Sequence, residues 1–99
     1  MKFSISIEAA ADLENIWLYT FNYWSPEQAD SYYNILLNTI EFLAEHSDSG
    51  KDVGHLRQGY FRKRVKSHFI FYKVNKALDV LEVIRILHQS MDIENRLGE

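Results

Sequence analysis

Ninety-nine residues suffice for one domain, here residues 1–99. A content of 46% hydrophobic and 25% charged residues excludes a disordered tract. Zero cysteines exclude disulfides and thiolate metal sites, which fits a cytoplasmic protein, and no apolar run approaches a membrane span. The net charge of −3 conceals a polarity: residues 1–50 set Lys2 against eight acids, whereas residues 51–76 set eight Lys or Arg against Asp52 alone.

In chain order, Phe3, Ile5 and Ile7 alternate with Lys2, Ser4 and Ser6, which predicts a short strand with one buried side. Ala9, Leu13, Ile16, Trp17, Thr20 and Trp24 then recur at helical spacing as one buried stripe, with Asp12 and Glu14 on the other side. Ser25-Pro26-Glu27-Gln28 restarts the chain as an N-cap, a first-turn proline and a capping-box glutamine. The second helix carries Ala29, Tyr32, Tyr33, Leu36, Ile40, Leu43 and Ala44 on its stripe. With almost no linker, the two helices should form an antiparallel hairpin.

His46 to Gly50 is polar and ends that helix, and from about His55 to His88 the chain reads as strands. Strand 60–66 sets Tyr60, Arg62, Arg64 and Lys66 against Phe61, Lys63 and Val65. Strand 68–74 sets His68, Ile70, Tyr72 and Val74 against Phe69, Phe71 and Lys73, before a turn at Asn75-Lys76-Ala77. Strand 80–87 is apolar nearly throughout, as for a central strand covered on both sides, and Arg85 inside it needs a reason. The expected fold class is α+β: an N-terminal strand, an antiparallel two-helix hairpin, then a mostly antiparallel sheet. Arg62, Arg64, Lys66 and Arg85 would lie on its open, concave side.

Several words in this order resemble the ParE branch of the RelE/ParE toxin superfamily. They are Ala10-Ala11-Asp12-Leu13-Glu14-Asn15-Ile16-Trp17, Trp24-Ser25-Pro26-Glu27-Gln28-Ala29, Ser67-His68-Phe69-Ile70-Phe71-Tyr72 and Arg85-Ile86-Leu87-His88-Gln89-Ser90-Met91-Asp92. Ser47 stands where many relatives carry proline, and Phe61-Arg62-Lys63-Arg64 is more basic than the pattern requires. The resemblance implies a non-enzymatic toxin of a type II toxin–antitoxin pair that blocks DNA gyrase. It implies a ParD-like antitoxin that wraps the hairpin and itself binds operator DNA, so that the toxin meets operator DNA only indirectly.

Tyr19, Phe21 and Tyr23 fall off the main helical stripe and are candidates for an antitoxin-binding surface. Arg62, Lys63, Arg64 and Lys66 are candidates to dock an acidic antitoxin segment. Arg85, His88, Met91 and Asp92 in the tail are candidates for target contact. The alternative is an mRNA endonuclease of the RelE branch, with Arg62 and Arg85 on phosphate and His68, His88 or Tyr72 moving protons. The missing tail tyrosine argues against it: none follows Tyr72. His46, His55, His68 and His88 lack ligand spacing, so no metal is expected, and no glycine-rich loop or other feature calls for a cofactor. At their strand ends His68 and His88 are expected as core residues with one hydrogen bond each.

Overall fold

The computed structural model describes residues 1–97. Strand β1 (Lys2–Ile5) leads into helix α1 (Ile7–Tyr23) and helix α2 (Pro26–Glu45), and a short turn of 3-10 helix at Ser47–Ser49 follows. The chain then forms β2 (Lys51–Asp52), β3 (Phe61–Val65), β4 (His68–Asn75), β5 (Val80–His88) and the single-turn α3 (Ile93–Leu97). The sheet order is β1-β5-β4-β3-β2. Only the β1–β5 pair is parallel, and the helical hairpin supplies the crossover that a parallel pair requires.

Both long helices begin where their caps dictate. Ser6 Oγ accepts the Ala9 N–H and donates to the Ile84 carbonyl at 2.7 Å, so one side chain ends β1, starts α1 and ties both to β5. Ser25 Oγ accepts the Gln28 N–H, with Pro26 in the first turn as expected. Because Ser6 already caps the helix, Ile7 belongs to α1 and not to the strand, and it is 87% exposed. Phe3 is also exposed, so of the alternating strand residues only Ile5 packs on the core.

The main core lies between hairpin and sheet. Leu13, Leu36, Ile40 and Leu43 from the helices meet Ile70, Tyr72, Leu81, Val83 and Ile86. Each such side chain removed from water contributes about 1.5–3 kcal/mol. A second, smaller cluster covers the other side of β4 and β5: Phe69, Phe71 and Leu87 under Val53, Leu56, Tyr60, Ile93 and Leu97. The side expected to be open is therefore roofed in part, and β5 is covered on both sides as its composition requires. The segment between β2 and β3 is turns, so β3 begins at Phe61 and Tyr60 belongs to the roof.

A register shift between β4 and β5 has the largest local consequence. Phe71 pairs with Arg85 but Tyr72 pairs with Val83, leaving Ile84 between them and resetting the alternation of β5. Val83 and Ile86 both reach the helix-side core, and Arg85 between them meets α1. Its Nε and Nη2 donate to the two Asp12 carboxylate oxygens at 2.8 and 3.0 Å, and the Ile86 N–H donates to Asp12 Oδ2 at 2.9 Å. Arg85 is therefore on the helix side, not on the open side. Asp12, expected to face solvent, satisfies both the guanidinium and a backbone amide released by the bulge.

Candidate functional site

An open groove of about 1180 Å³ runs between the helical hairpin and the end of the sheet formed by the β3–β4 turn and the tail after β5. Along α1 and α2 its walls set Ile16, Tyr19 and Ile35 among polar residues, Glu8, Asp12, Asn15, Thr20, Gln28 and Ser31. Trp24, 70% exposed at the hairpin turn, completes that wall rather than filling the core as expected. At the sheet end the lining is polar: Lys66, His68, Arg85, His88 and Ser90, with Met91 beside them.

The histidines hold defined positions there. Tyr32 Oη donates to the Val65 carbonyl at 3.0 Å, so its lone pair accepts from His68 Nδ1 at 2.7 Å, leaving Nε2 as the unprotonated nitrogen of that ring. Burial, then the neighbouring His88, push the His68 pKa down to about 4 against a smaller upward pull from Asp12. His68 is thus neutral at pH 7, while burial pushes Tyr32 up to about 12. His88 Nδ1 accepts the Ser90 N–H, which places its proton on Nε2, and its ring meets His68 edge-on with centroids 5.1 Å apart. Both histidines are hydrogen-bonded as expected, but neither is a core residue: each is half-buried and lines the groove.

The basic residues that adjoin in sequence do not adjoin in space. Arg62 and Arg64 lie on the side away from the hairpin, with guanidinium carbons 4.3 and 5.7 Å from the Phe69 ring centre. Lys63 lies over Phe42 of α2. Lys66 is not in the strand: it occupies the β3–β4 turn at φ 52°, and its ammonium sits over Tyr32 at the groove. Expected to share a side with Arg62 and Arg64, it lies on the opposite one.

The aromatic candidates divide as well. Tyr19 and Tyr23 form one i,i+4 ladder, of which Tyr19 lines the groove. Phe21 stacks on Trp17, whose indole N–H donates to Asp30 on α2, so Phe21 lies outside the groove lining. Among the tail candidates, Arg85, His88 and Met91 line the groove, whereas Asp92 Oδ2 accepts from the Asn95 side chain at the start of α3.

Of the residues considered for phosphate cleavage, His68, Arg85 and His88 share the groove, whereas Tyr72 and Arg62 lie away from it. Tyr72 is fully buried, its hydroxyl donating to the Ser47 carbonyl, and burial pushes its pKa up. Arg62 is across the sheet from His68, and Arg85 is engaged by Asp12. Among the described residues no cluster of three metal-ligating side chains occurs.

Comparison with known proteins decides between the two branches. Residues 3–93 match the model of the family described as the ParE toxin of the type II toxin–antitoxin system parDE. The chain belongs to the ParE toxin family. It is 43% identical over 96 residues to Toxin ParE1 of Caulobacter vibrioides, covering 97% of each chain. Toxin ParE1 of Mycobacterium tuberculosis is 33% identical, again over 97% of both. Toxin ParE of Escherichia coli is 32% identical over 96% of this chain and 91% of the relative. In fold it matches a solved chain of the chromosomal ParDE system from P. aeruginosa, with a TM-score of 0.77 over 89% of this chain and 95% of that one, at 18% identity. A ParE chain is the toxin half of its pair, and the nuclease alternative loses its basis. Among the described residues no helix is long and apolar enough to cross a membrane.

Within this ParE chain the groove brings together Tyr19, Lys66, Arg85, His88 and Met91 from the predicted sites. It adds Ile16, Trp24, Tyr32 and Ile35, which sequence reasoning had assigned to the core or passed over. The signal for Asp12 was present: it lies three residues after Ala9 and four before Ile16, on the edge of the buried stripe itself.

Proposed function

We propose that this ParE chain arrests growth by binding DNA gyrase, without catalysis, and that a ParD-like antitoxin silences it by laying an amphipathic helix into the hairpin groove. The groove carries this reading: apolar side chains on both helices (Ile16, Tyr19, Ile35), set among polar ones, and a hydrogen-bonding sheet end suit an amphipathic helix with a few apolar anchors. The exposed aromatics at its lip, Tyr19 and Trp24, are of the residue types that dominate binding energy at interfaces. Tyr23 extends the Tyr19 ladder beyond the lip, and Lys66 supplies a cation for an acidic end of the bound segment.

The test combines a gyrase supercoiling assay with antitoxin titration. Purified toxin should inhibit supercoiling, and the antitoxin should restore it. Ile35→Asp, at an exposed groove position, should remain toxic but resist rescue by at least about tenfold in antitoxin concentration, the equivalent of about 1.4 kcal/mol. Unaltered supercoiling at large toxin excess would overturn the target. Undiminished rescue of Ile35→Asp would overturn the groove.

A further inference from the structure

The side of the sheet turned away from the hairpin carries a row of cations that the antitoxin groove does not use. Lys51 on β2 pairs directly with Arg62 on β3, and Arg64 follows two residues along the same strand. Paired residues and alternate residues share a side, so the three point the same way. They stand about 4.8 Å apart across the strands and roughly 6.6 Å apart along β3.

The two arginines are held rather than loose. Both guanidinium groups rest against the Phe69 ring, and Arg64 also donates through Nε to the Lys66 carbonyl at 2.9 Å and through Nη2 to Gln89 Oε1 at 2.7 Å. Little side-chain freedom remains to be lost on binding. No acid neutralises them: among the described residues the only ion pairs are Lys73–Glu82 and Arg85–Asp12.

We propose that this face binds the phosphate backbone of duplex DNA, an activity separate from the antitoxin groove. An amphipathic peptide finds few apolar anchors beside the row. Phe71 and Leu87 are fully buried, Phe69, 8% exposed, lies beneath the two arginines, and the half-buried Leu56, Tyr60 and Ile93 are packed onto that cluster as its roof. The ring beside the arginines, Phe69, is covered by them, so a single strand gains no stacking platform along the row. A duplex keeps its base faces stacked and carries its phosphates along the outside, where a row of unpaired cations can meet them without reading a base.

The test uses the full chain and a short fluorescein-labelled DNA duplex of arbitrary sequence, followed by anisotropy as salt is raised. Three phosphate contacts give a slope of about −2.7 in log K against log salt, a weakening of about 40-fold between about 50 and about 200 mM. In R62Q/R64Q the slope should fall to about −0.9 and the weakening to about 3.5-fold. R62K/R64K, which keeps the charge, should retain the steep slope. K63Q, on the hairpin side over Phe42, should bind as the unaltered chain does. An unchanged slope in R62Q/R64Q, no binding at the lowest salt, or tighter binding of a single strand or a glutamate-rich peptide would overturn the proposal. The assay involves neither gyrase nor antitoxin, so its failure would leave the toxin reading intact.

Discussion

Replacing Asp12 by Ala should cost more stability than replacing Arg85, although the two form one ion pair. The carboxylate accepts three hydrogen bonds, two from Arg85 and one from the Ile86 amide, and both side chains are 13% exposed. Asp12→Ala leaves both a mostly buried guanidinium and a backbone N–H without this acceptor. Breaking a buried pair costs about 3–5 kcal/mol, and partial exposure at the groove reduces that to about 2–3. The orphaned amide adds about 1 kcal/mol. Arg85→Ala leaves Asp12 bonded to Ile86, so its cost should be smaller by about that last 1 kcal/mol. Against a total stability of about 5–15 kcal/mol, Asp12→Ala should sharply lower the urea midpoint. The assay is urea unfolding followed by far-ultraviolet circular dichroism for both single variants and the double variant. A loss below about 1 kcal/mol for Asp12→Ala, or a double-variant loss equal to the sum of the singles, would refute the pairing argument.

Three further outcomes are expected. The folded pKa of His68, about 4, lies below its unfolded value of 6.5, so the unfolded chain binds the proton more readily. Its contribution is complete above pH 6.5 and disappears as pH falls towards 4. After a discount for solvent at the groove it amounts to about 1–2 kcal/mol, and His68→Gln should flatten the urea midpoint over that window. Gly50→Ala should destabilise by about 2–4 kcal/mol, because the new Cβ would collide with the Tyr72 hydroxyl and lie 2.9 Å from the Arg62 carbonyl oxygen; a thermal melt within a degree or two of the parent would contradict this. Leu36→Ala should cost about 2–5 kcal/mol in urea unfolding, since the residue is fully buried between hairpin and sheet.

The helices were legible because their signals are local. Ser25-Pro26 caps α2 through its own backbone, and Ala29, Leu36, Ile40, Leu43 and Ala44 are buried as their spacing requires. The strands were legible by alternation up to the point where alternation breaks. The bulge opposite Phe71 and Tyr72 has no local mark in the run Val80 to Leu87, so the side taken by Arg85 could not be read from parity. Ile7 was misplaced for a related reason: a cap three residues upstream of Ala9 outweighs an apolar alternation only one residue longer. Trp24 was assigned to the core because it continues a helical stripe, but that stripe outlasts the sheet beneath it, leaving the ring at the groove lip.

The same alternation bears on how the basic segment should be dissected. Phe61-Arg62-Lys63-Arg64-Val65-Lys66 reads as one cationic patch, yet Arg62 and Arg64 rest on Phe69 while Lys63 and Lys66 rest on Phe42 and Tyr32 of the hairpin. A variant neutralising Arg62, Lys63 and Arg64 together would therefore perturb both sides of the sheet, and a weakened partner could not be assigned to either. Paired variants separate them. Lys66→Gln should weaken an antitoxin segment in the groove, by about 1 kcal/mol or less because that ammonium is exposed, and leave duplex binding unchanged. R62Q/R64Q should do the reverse. If both variants lowered the same affinity by the same factor, one partner would have to span the sheet from one side to the other, and the division of this surface into two sites would fail.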